Sequence, residues 1–246
     1  MERMICYNSI PSTNDEAKKL AAQGAEHGTA ILAREQTGGR GRMGRSFLSP
    51  AGGLYLSLIL RPQALPEELM PLTAVLAAAA CDAVEECCGV RPGIKWVNDL
   101  ILGGKKLAGI LTELSLKPDG GVDYAVCGIG INCNADTDAF SPEVREIATS
   151  LLRQTGRETD IEALAKTVCR HWLNACDAVN DPAYLDAYRR DCVNLGRPVR
   201  IGGAEPYTAT ALDVEPDGSL TVQTDSGEKR RVFTGEVSVR GLYGYI

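Results

Sequence analysis

Residues Leu107–Ile131 read LAGILTELSLKPDGGVDYAVCGIGI. Two runs with strand-like composition, Leu107–Leu116 and Val122–Ile131, flank KPDGG, whose Pro, Asp and paired Gly favour a chain reversal. The stretch therefore predicts a β-hairpin. Upstream, Gly93–Val97 (GIKWV) predicts a strand followed by a turn at Gly103–Gly104, Leu54–Leu60 (LYLSLIL) a strand bounded by Gly53 and Pro62, and Thr29–Ala33 (TAILA) a short apolar strand. Helical patterns lie around these strands. Ser12–Gly24 (STNDEAKKLAAQG) carries a cap at Ser12 or Thr13 and a stop at Gly24, and Pro66–Cys88 is long, largely apolar and stopped by Gly89. Further helices are expected over Glu143–Arg153, Asp160–Val179 and Tyr184–Cys192.

Composition narrows the function. The chain has 246 residues, 44% apolar and 24% charged, enough for one large domain or one domain plus a small one. A net charge of -6 argues against a general nucleic-acid binder, which needs clustered Lys and Arg for phosphate contacts. The N-terminal MERMICYNSI lacks the apolar core and cleavage site of a signal peptide. The most apolar run, Leu72–Cys81, is about half of a bilayer span and reads as a buried helix. Nine scattered cysteines, no C-x-x-C pair and only His27 and His171 disfavour a zinc site. Reduced cytoplasmic thiols acting as small hydrophobes are expected instead.

The character changes at Leu195–Gly196. Beyond it come short β-rich pieces (PVRI, YTATALDV, SLTVQT, KRRVF, EVSVR) separated by turn signals, which suggests a small barrel. Its near-neutral charge does not suit a nucleic-acid-binding barrel.

Between the second predicted helix-flanking strand and LYLSLIL lies GGRGRMGRSF, Gly38–Phe47. Glycines let backbone N–H groups approach a ligand, and Arg40, Arg42 and Arg45 offer forked donors suited to phosphate or carboxylate. The segment is neither a Walker P-loop nor a dinucleotide fingerprint. On composition alone it is equally a mobile surface loop with solvated arginines.

The order of words goes further. GRGRMGRSF, KWVNDL (Lys95–Leu100), GKKLAGILTEL (Gly104–Leu114) and GIGINCN (Gly128–Asn134) strongly resemble the biotin protein ligase family, with STN at 12–14, ATSL at 148–151 and the ending GEVSVRG (Gly235–Gly241) in the same pattern. The resemblance spans nearly the whole chain. It departs at Val97, where the family usually has proline, and at Phe47, where it usually has tryptophan; Phe47 keeps an aromatic platform without an indole donor. The helix-turn-helix module that some members carry in front is not in the sequence, so a ligase without a repressor role is expected.

The resemblance implies an α+β fold: a mixed sheet flanked by helices, a class II synthetase-like catalytic domain over residues 1–194, then an SH3-like β-barrel over 195–246. It implies biotin and ATP as substrates with Mg²⁺, no tightly bound metal, and modification of a lysine on a biotin carboxyl carrier protein through biotinyl-5′-AMP. A cytoplasmic monomer or homodimer without membrane or nucleic-acid partners is expected.

The family pattern implies a catalytic role for Lys106 on the α-phosphate and biotin carboxylate, with Lys105 as the solvated neighbour. Arg40 and Arg42 are implied to close over biotin and adenylate, and Arg45 to hold the loop. Ser12, Thr13, Asn14 and Gln36 are implied contacts of the biotin head group, whose ureido ring needs both donors and acceptors. Gly41 and Gly109 complete the biotin site. Asn98, Asp99 and Asn132 are assigned to the nucleotide with Arg42; Asp99 is either a Mg²⁺ ligand or the acceptor of a proton from the incoming lysine. Trp96 is core or pocket wall. Bland readings stand beside these: helix capping for Ser12 or Thr13, an Asn-Asp turn for Asn98–Asp99, tight packing for Gly109. Three alternatives remain: a lipoate or octanoate ligase on the same fold, a non-catalytic biotin sensor, and a DNA-binding regulator, the last disfavoured by charge.

Overall fold

The structure, a computed structural model, describes residues 3–203, 205–233 and 239–241. Seven strands form one sheet in the order β1 (Met4–Ile10), β2 (Ala30–Gln36), β3 (Leu54–Leu60), β7 (Val122–Ile131), β6 (Lys105–Leu116), β5 (Asp99–Leu102), β4 (Gly93–Lys95). β1 runs parallel to β2 and every other neighbouring pair is antiparallel, so the sheet is mixed. The hairpin read from LAGIL…GIGI is the β6–β7 pair, with Gly109 opposite Gly130 and Leu111 opposite Gly128.

Strand periodicity divides the residues between two faces. Leu54, Leu56, Leu58 and Leu60 of β3, with Cys127, Ile129 and Ile131 of β7, join the main core under α2 (Leu72–Cys88) and α5 (Ile161–Asp177). Ile59 and Val126 point the other way and pack with Ala17 and Ala21 of α1 (Thr13–Ala22). Ser57, Gly109, Leu111, Glu113, Gly128 and Gly130 share this second face by the same alternation, and it carries the site. Ser12 caps α1 through its side chain, which accepts from Asp15 N at 3.4 Å. On the main-core side Trp172 is fully buried and its Nε1 donates to Leu76 O at 2.9 Å. Truncating a buried side chain of this size costs about 3–5 kcal/mol.

Two expected helices are interrupted. The run Pro66–Cys88 is a 3₁₀ turn, Pro66–Leu69, followed by α2; Pro71 has no N–H to continue one helix through. Gly89 ends α2 at φ 70°, donating to Glu85 O. Residues 143–153 divide into α3 (Pro142–Ile147) and α4 (Leu151–Thr155). Ala148 is extended between them and Ser150 caps α4, accepting from Arg153 N.

After α6 (Pro182–Asp191) come β8 (Pro198–Ile201), β9 (Tyr207–Val214), β10 (Leu220–Thr224), β11 (Lys229–Val232) and β12 (Val239–Gly241). Among the described residues they form a five-stranded antiparallel sheet in the order β11-β10-β9-β8-β12, where the sequence places its small SH3-like barrel. Of GEVSVRG, residues 235–238 lie outside the described residues. The small sheet is fastened to the rest of the chain by Trp96, just after β4, whose Nε1 donates to Gly218 O at 3.0 Å, and by Arg189 of α6, whose Nη2 donates to Val214 O at 2.6 Å.

Candidate active site

A cavity of about 770 Å³ opens on the second face of the sheet, lined by the arginine loop, the KWVND turn and the start of β6. Lys106 is part of its lining. Its Nζ lies 2.6 Å from Asp99 Oδ1, both side chains being mostly buried. The pairing of β5 with β6 produces this contact, since Ile101 sits opposite Lys106 and Asp99 opposite Gly109. Gly109 makes room for it: a Cβ there would lie 3.2 Å from Lys106 Nζ and 3.5 Å from Asp99 Oδ1. The Lys106 main chain is held from the other side, its carbonyl accepting from Thr149 N at 2.9 Å. The non-helical ATSL word is thus what fixes the lysine. Lys106 Nζ also lies 5.7 Å from the centre of the Phe47 ring, within cation–π range.

The arginine loop folds back on itself, with Gly41 N donating to Arg45 O at 2.7 Å and Phe47 N to Gly39 O at 2.9 Å. Its tip turns through Met43, a non-glycine residue at φ 56°. Arg42 reaches into the cavity and donates from Nη1 to Asn98 Oδ1 at 3.1 Å. Burial pulls its guanidinium below the ordinary value, and Asp99 opposes that pull. Asn98 is held in turn by its Nδ2 donating to Ile110 O at 2.8 Å. Arg40 turns away to α1 and β6, where Nη2 lies 2.6 Å from Asp15 Oδ1. Arg45 lines the cavity and holds the loop with its backbone. Lys105, expected in solvent, donates to Arg145 O at 3.0 Å and lines the cavity as well; the α3 carbonyl lies within its reach.

Next to the cavity lies a narrow cleft lined by Ser12, Thr13, Asn14, Gln36, Arg40, Phe47, Gly109, Leu111 and Gly128–Gly130. Five polar residues join at it. Gln36 Oε1 accepts from Thr13 N at 2.8 Å and Thr13 Oγ1 at 3.1 Å, while its Nε2 donates to Ser49 Oγ at 2.9 Å. Ser57 Oγ lies 2.8 Å from Thr13 Oγ1 and 2.6 Å from Asn14 Oδ1. Cleft and cavity share Arg40, Phe47, Gly109 and Leu111, so they meet beside Lys106. Trp96 is buried and lines the cavity, combining both expected roles.

Asn132 stands behind this wall and does not line the cavity. It is buried, its Nδ2 donating to Thr149 O at 3.0 Å and its Oδ1 unpartnered. Among the described residues no group of three or more His, Cys, Asp or Glu is placed to hold a metal ion. Four site residues lie outside the expected set, Ser49, Ser57, Lys95 and Glu113, although Lys95 and Glu113 stand within the words KWVNDL and GKKLAGILTEL. Lys95 is buried and lines the cavity, from within the quoted KWVND word. Ser57 and Glu113 have a sequence signal, the period of two that puts them on the face of Gly109.

The family profile described as Biotin/lipoate A/B protein ligase family matches residues 6–132, and that of the Biotin protein ligase C terminal domain matches residues 195–240. The chain belongs to this ligase family. It is 41% identical to the Bifunctional ligase/repressor BirA of Bacillus spizizenii, over 97% of this chain and 74% of that one. It is 35% identical to the Biotin--[acetyl-CoA-carboxylase] ligase of Paracoccus denitrificans, over 89% and 93%. Among solved structures, the biotin protein ligase from Aquifex aeolicus in complex with biotin and ATP superposes with TM-score 0.84 at 29% identity, covering 98% of this chain and 100% of that one. The ligase fold therefore extends over both sheets.

Proposed function

We propose that this ligase is an ATP-dependent biotin–protein ligase, acting in two steps where the cleft meets the cavity. That junction is the observation that carries the reading: a polar cleft suited to a ureido ring runs into a cationic chamber at Lys106. In the first step a biotin carboxylate oxygen attacks the α-phosphorus of ATP, and pyrophosphate leaves. In the second, the amine of a carrier-protein lysine attacks the mixed-anhydride carbonyl, AMP leaves and the amine gives up a proton.

Both steps gather negative charge on phosphate oxygens, so fixed cations in a shielded site dominate the catalysis. Lys106 is the point charge between the two anions of the first step. Arg42, held at Asn98, lies over the phosphates, and Arg40 and Gly41 form the rim over the ring. Ser12, Thr13, Asn14 and Gln36 receive the ureido group, with Gly109 beneath it. The unpartnered Asn132 Oδ1 suits an amine donor such as the exocyclic group of adenine, after a small movement of the wall. Mg²⁺ enters with ATP as part of the substrate; Asp99 and Glu146 line the cavity, and one or two carboxylates with substrate phosphates suit that ion. Held there, it would neutralise charge on the leaving pyrophosphate. Once Lys106 turns to the adenylate, Asp99 is available to take the proton of the incoming amine.

We place the domain boundary at 194/195 and the protein, as monomer or homodimer, in the cytoplasm, which its nine unpaired cysteines support. No helix among the described residues is long and apolar enough to cross a membrane. The acceptor is a biotin carboxyl carrier protein. The test is to incubate the enzyme with biotin, Mg·ATP and a carrier domain, and weigh the carrier. A mass gain of one biotin on one lysine supports the reading; an unmodified carrier with intact enzyme refutes it.

A further inference from the structure

The carboxylate of Glu113 joins three elements. Oε1 accepts from Lys18 Nζ at 3.0 Å and from Arg40 Nη2 at 3.2 Å. Oε2 accepts from Asn14 Nδ2 at 2.9 Å and lies 3.3 Å from the same Arg40 nitrogen. Asp15 closes the charge cluster, 2.6 Å from Arg40 and 3.1 Å from Lys18. Helix α1, the arginine loop and β6 are therefore tied at one carboxylate.

The contact with Asn14 has a chemical consequence. An ionised carboxylate only accepts, so Asn14 must turn its NH₂ toward Glu113 and its Oδ1 toward Ser57. Ser57 has one proton, which it then gives to Asn14 Oδ1. Gln36 is oriented separately: its Oε1 accepts from Thr13 N, so its Nε2 donates to Ser49 Oγ, which donates to Phe47 O at 3.0 Å. Glu113 thus orients the Asn14–Ser57 end of the cleft and grips the arginine loop through Arg40.

We propose that Glu113 is a positioning residue of the ligase site: it sets the donor–acceptor orientation of Asn14 and Ser57 in the ring-binding cleft and fastens the loop through Arg40. The inference rests on the biotin-ligase reading and extends it to a residue outside the quoted contact set. Its two roles separate by substitution. Glu113→Ala removes both. Glu113→Gln keeps an amide oxygen for Asn14 but loses the charge that holds Arg40 and Lys18. Asp15→Asn touches only the loop side.

The experiment measures biotin KM and kcat in adenylate formation, together with the dissociation rate of biotinyl-AMP, for wild type and the three variants, with thermal melts as the folding control. Glu113→Ala is expected to raise biotin KM about tenfold or more with kcat changed far less, because a charge-assisted hydrogen bond is lost from binding. Glu113→Gln is expected to restore KM while biotinyl-AMP still leaves faster than from wild type, as it does from Asp15→Asn. If Glu113→Ala does not fold, Glu113→Gln against Asp15→Asn decides alone. KM and release both within twofold of wild type in a folded Glu113 variant would overturn the assignment while leaving the ligase reading intact. Wild type that forms no biotinyl-AMP would overturn that reading and this inference with it.

Discussion

Lys106 Nζ and Asp99 Oδ1 face each other at 2.6 Å across the β5–β6 pair, directly above Gly109. A cation held by a carboxylate on a rigid hairpin is positioned before any substrate arrives. Little then needs to reorganise when phosphate charge develops beside it.

Replacing that cation tests its place in the first step. Lys106→Ala is expected to slow adenylate formation by about 10²-fold or more, the scale of losing one preorganised charge donor. Biotin binding should stay measurable, because the ureido contacts lie in the cleft. Pyrophosphate exchange reads the first quantity and calorimetry the second; exchange at the wild-type rate would remove Lys106 from the chemistry.

The Arg42–Asn98 contact of 3.1 Å pins the loop across the cavity. Arg42→Gly should release biotinyl-AMP about 10–100-fold faster, the range for a hydrogen bond to a charged group. Asn98→Ala should move the off-rate in the same direction by a smaller factor. A filter-binding chase measures both, and an unchanged off-rate would separate the loop from product retention.

Gly130 faces Phe47 so closely that a Cβ would lie 2.5 Å from the ring. Gly130→Ala should therefore displace Phe47 and weaken biotin binding, and Gly130→Ala with Phe47→Ala should recover part of the folded stability. Equal melting temperatures for the single and double variants would contradict the contact.

Away from the site, Asp191 is mostly buried between Arg91 and Arg190. Burial pushes its carboxyl up, but hydrogen bonds from Arg190 and Arg91 outweigh that and hold it below its ordinary 3.8. A depressed carboxylate contributes its full stability above the unfolded value and loses it as pH falls through the folded one. Urea midpoints should thus decline as pH falls below about 4, and Asp191→Asn should flatten that acid limb. A limb unchanged by the substitution would assign the acid sensitivity elsewhere.

Burial pushes the Cys133, Cys169 and Cys176 thiols up to about 12 and Cys192 up to about 11, while Cys6 and Cys87 are exposed. Only thiolates alkylate readily. Iodoacetamide at pH 8 should label Cys6 and Cys87 first in the native protein, and all nine only after denaturation. Early labelling of Cys133 would argue against its buried place behind β7.

Much of the fold was legible because strong local signals agreed with it. LYLSLIL is β3 to the residue, VDYAVCGIGI is β7, and Ser12 caps α1 as its hydroxyl suggested. β1 was not read because MICYNSI is an edge strand that exposes Ile5 and Cys6 alongside Asn8 and Ser9 and so shows no clear apolar period. β5 was hidden by its length of four residues between an Asn-Asp turn and Gly103–Gly104. At the site, the motif words named Lys106, Arg42, Asn98 and Asp99, which do meet in one cavity. They named Arg40 as well, which lines the same cavity, but not its partners Asp15 and Glu113, 25 and 73 residues away in sequence, a distance over which local patterning is silent. Asn132 was placed by its motif next to the nucleotide, whereas the strand end buries it one layer back, against Thr149. The small C-terminal β-domain was legible from its short strands and turn signals, whereas the spatial order β11-β10-β9-β8-β12 was not, because a count of strands does not fix which edges pair.

The most direct test is one competition. The protein is mixed with Mg·ATP and equal concentrations of biotin and lipoate, and acyl-adenylates are identified by mass spectrometry. The account predicts biotinyl-AMP alone, abolished in Lys106→Ala. Lipoyl-AMP as the main product, or no adenylate from folded protein that still binds biotin, would contradict it.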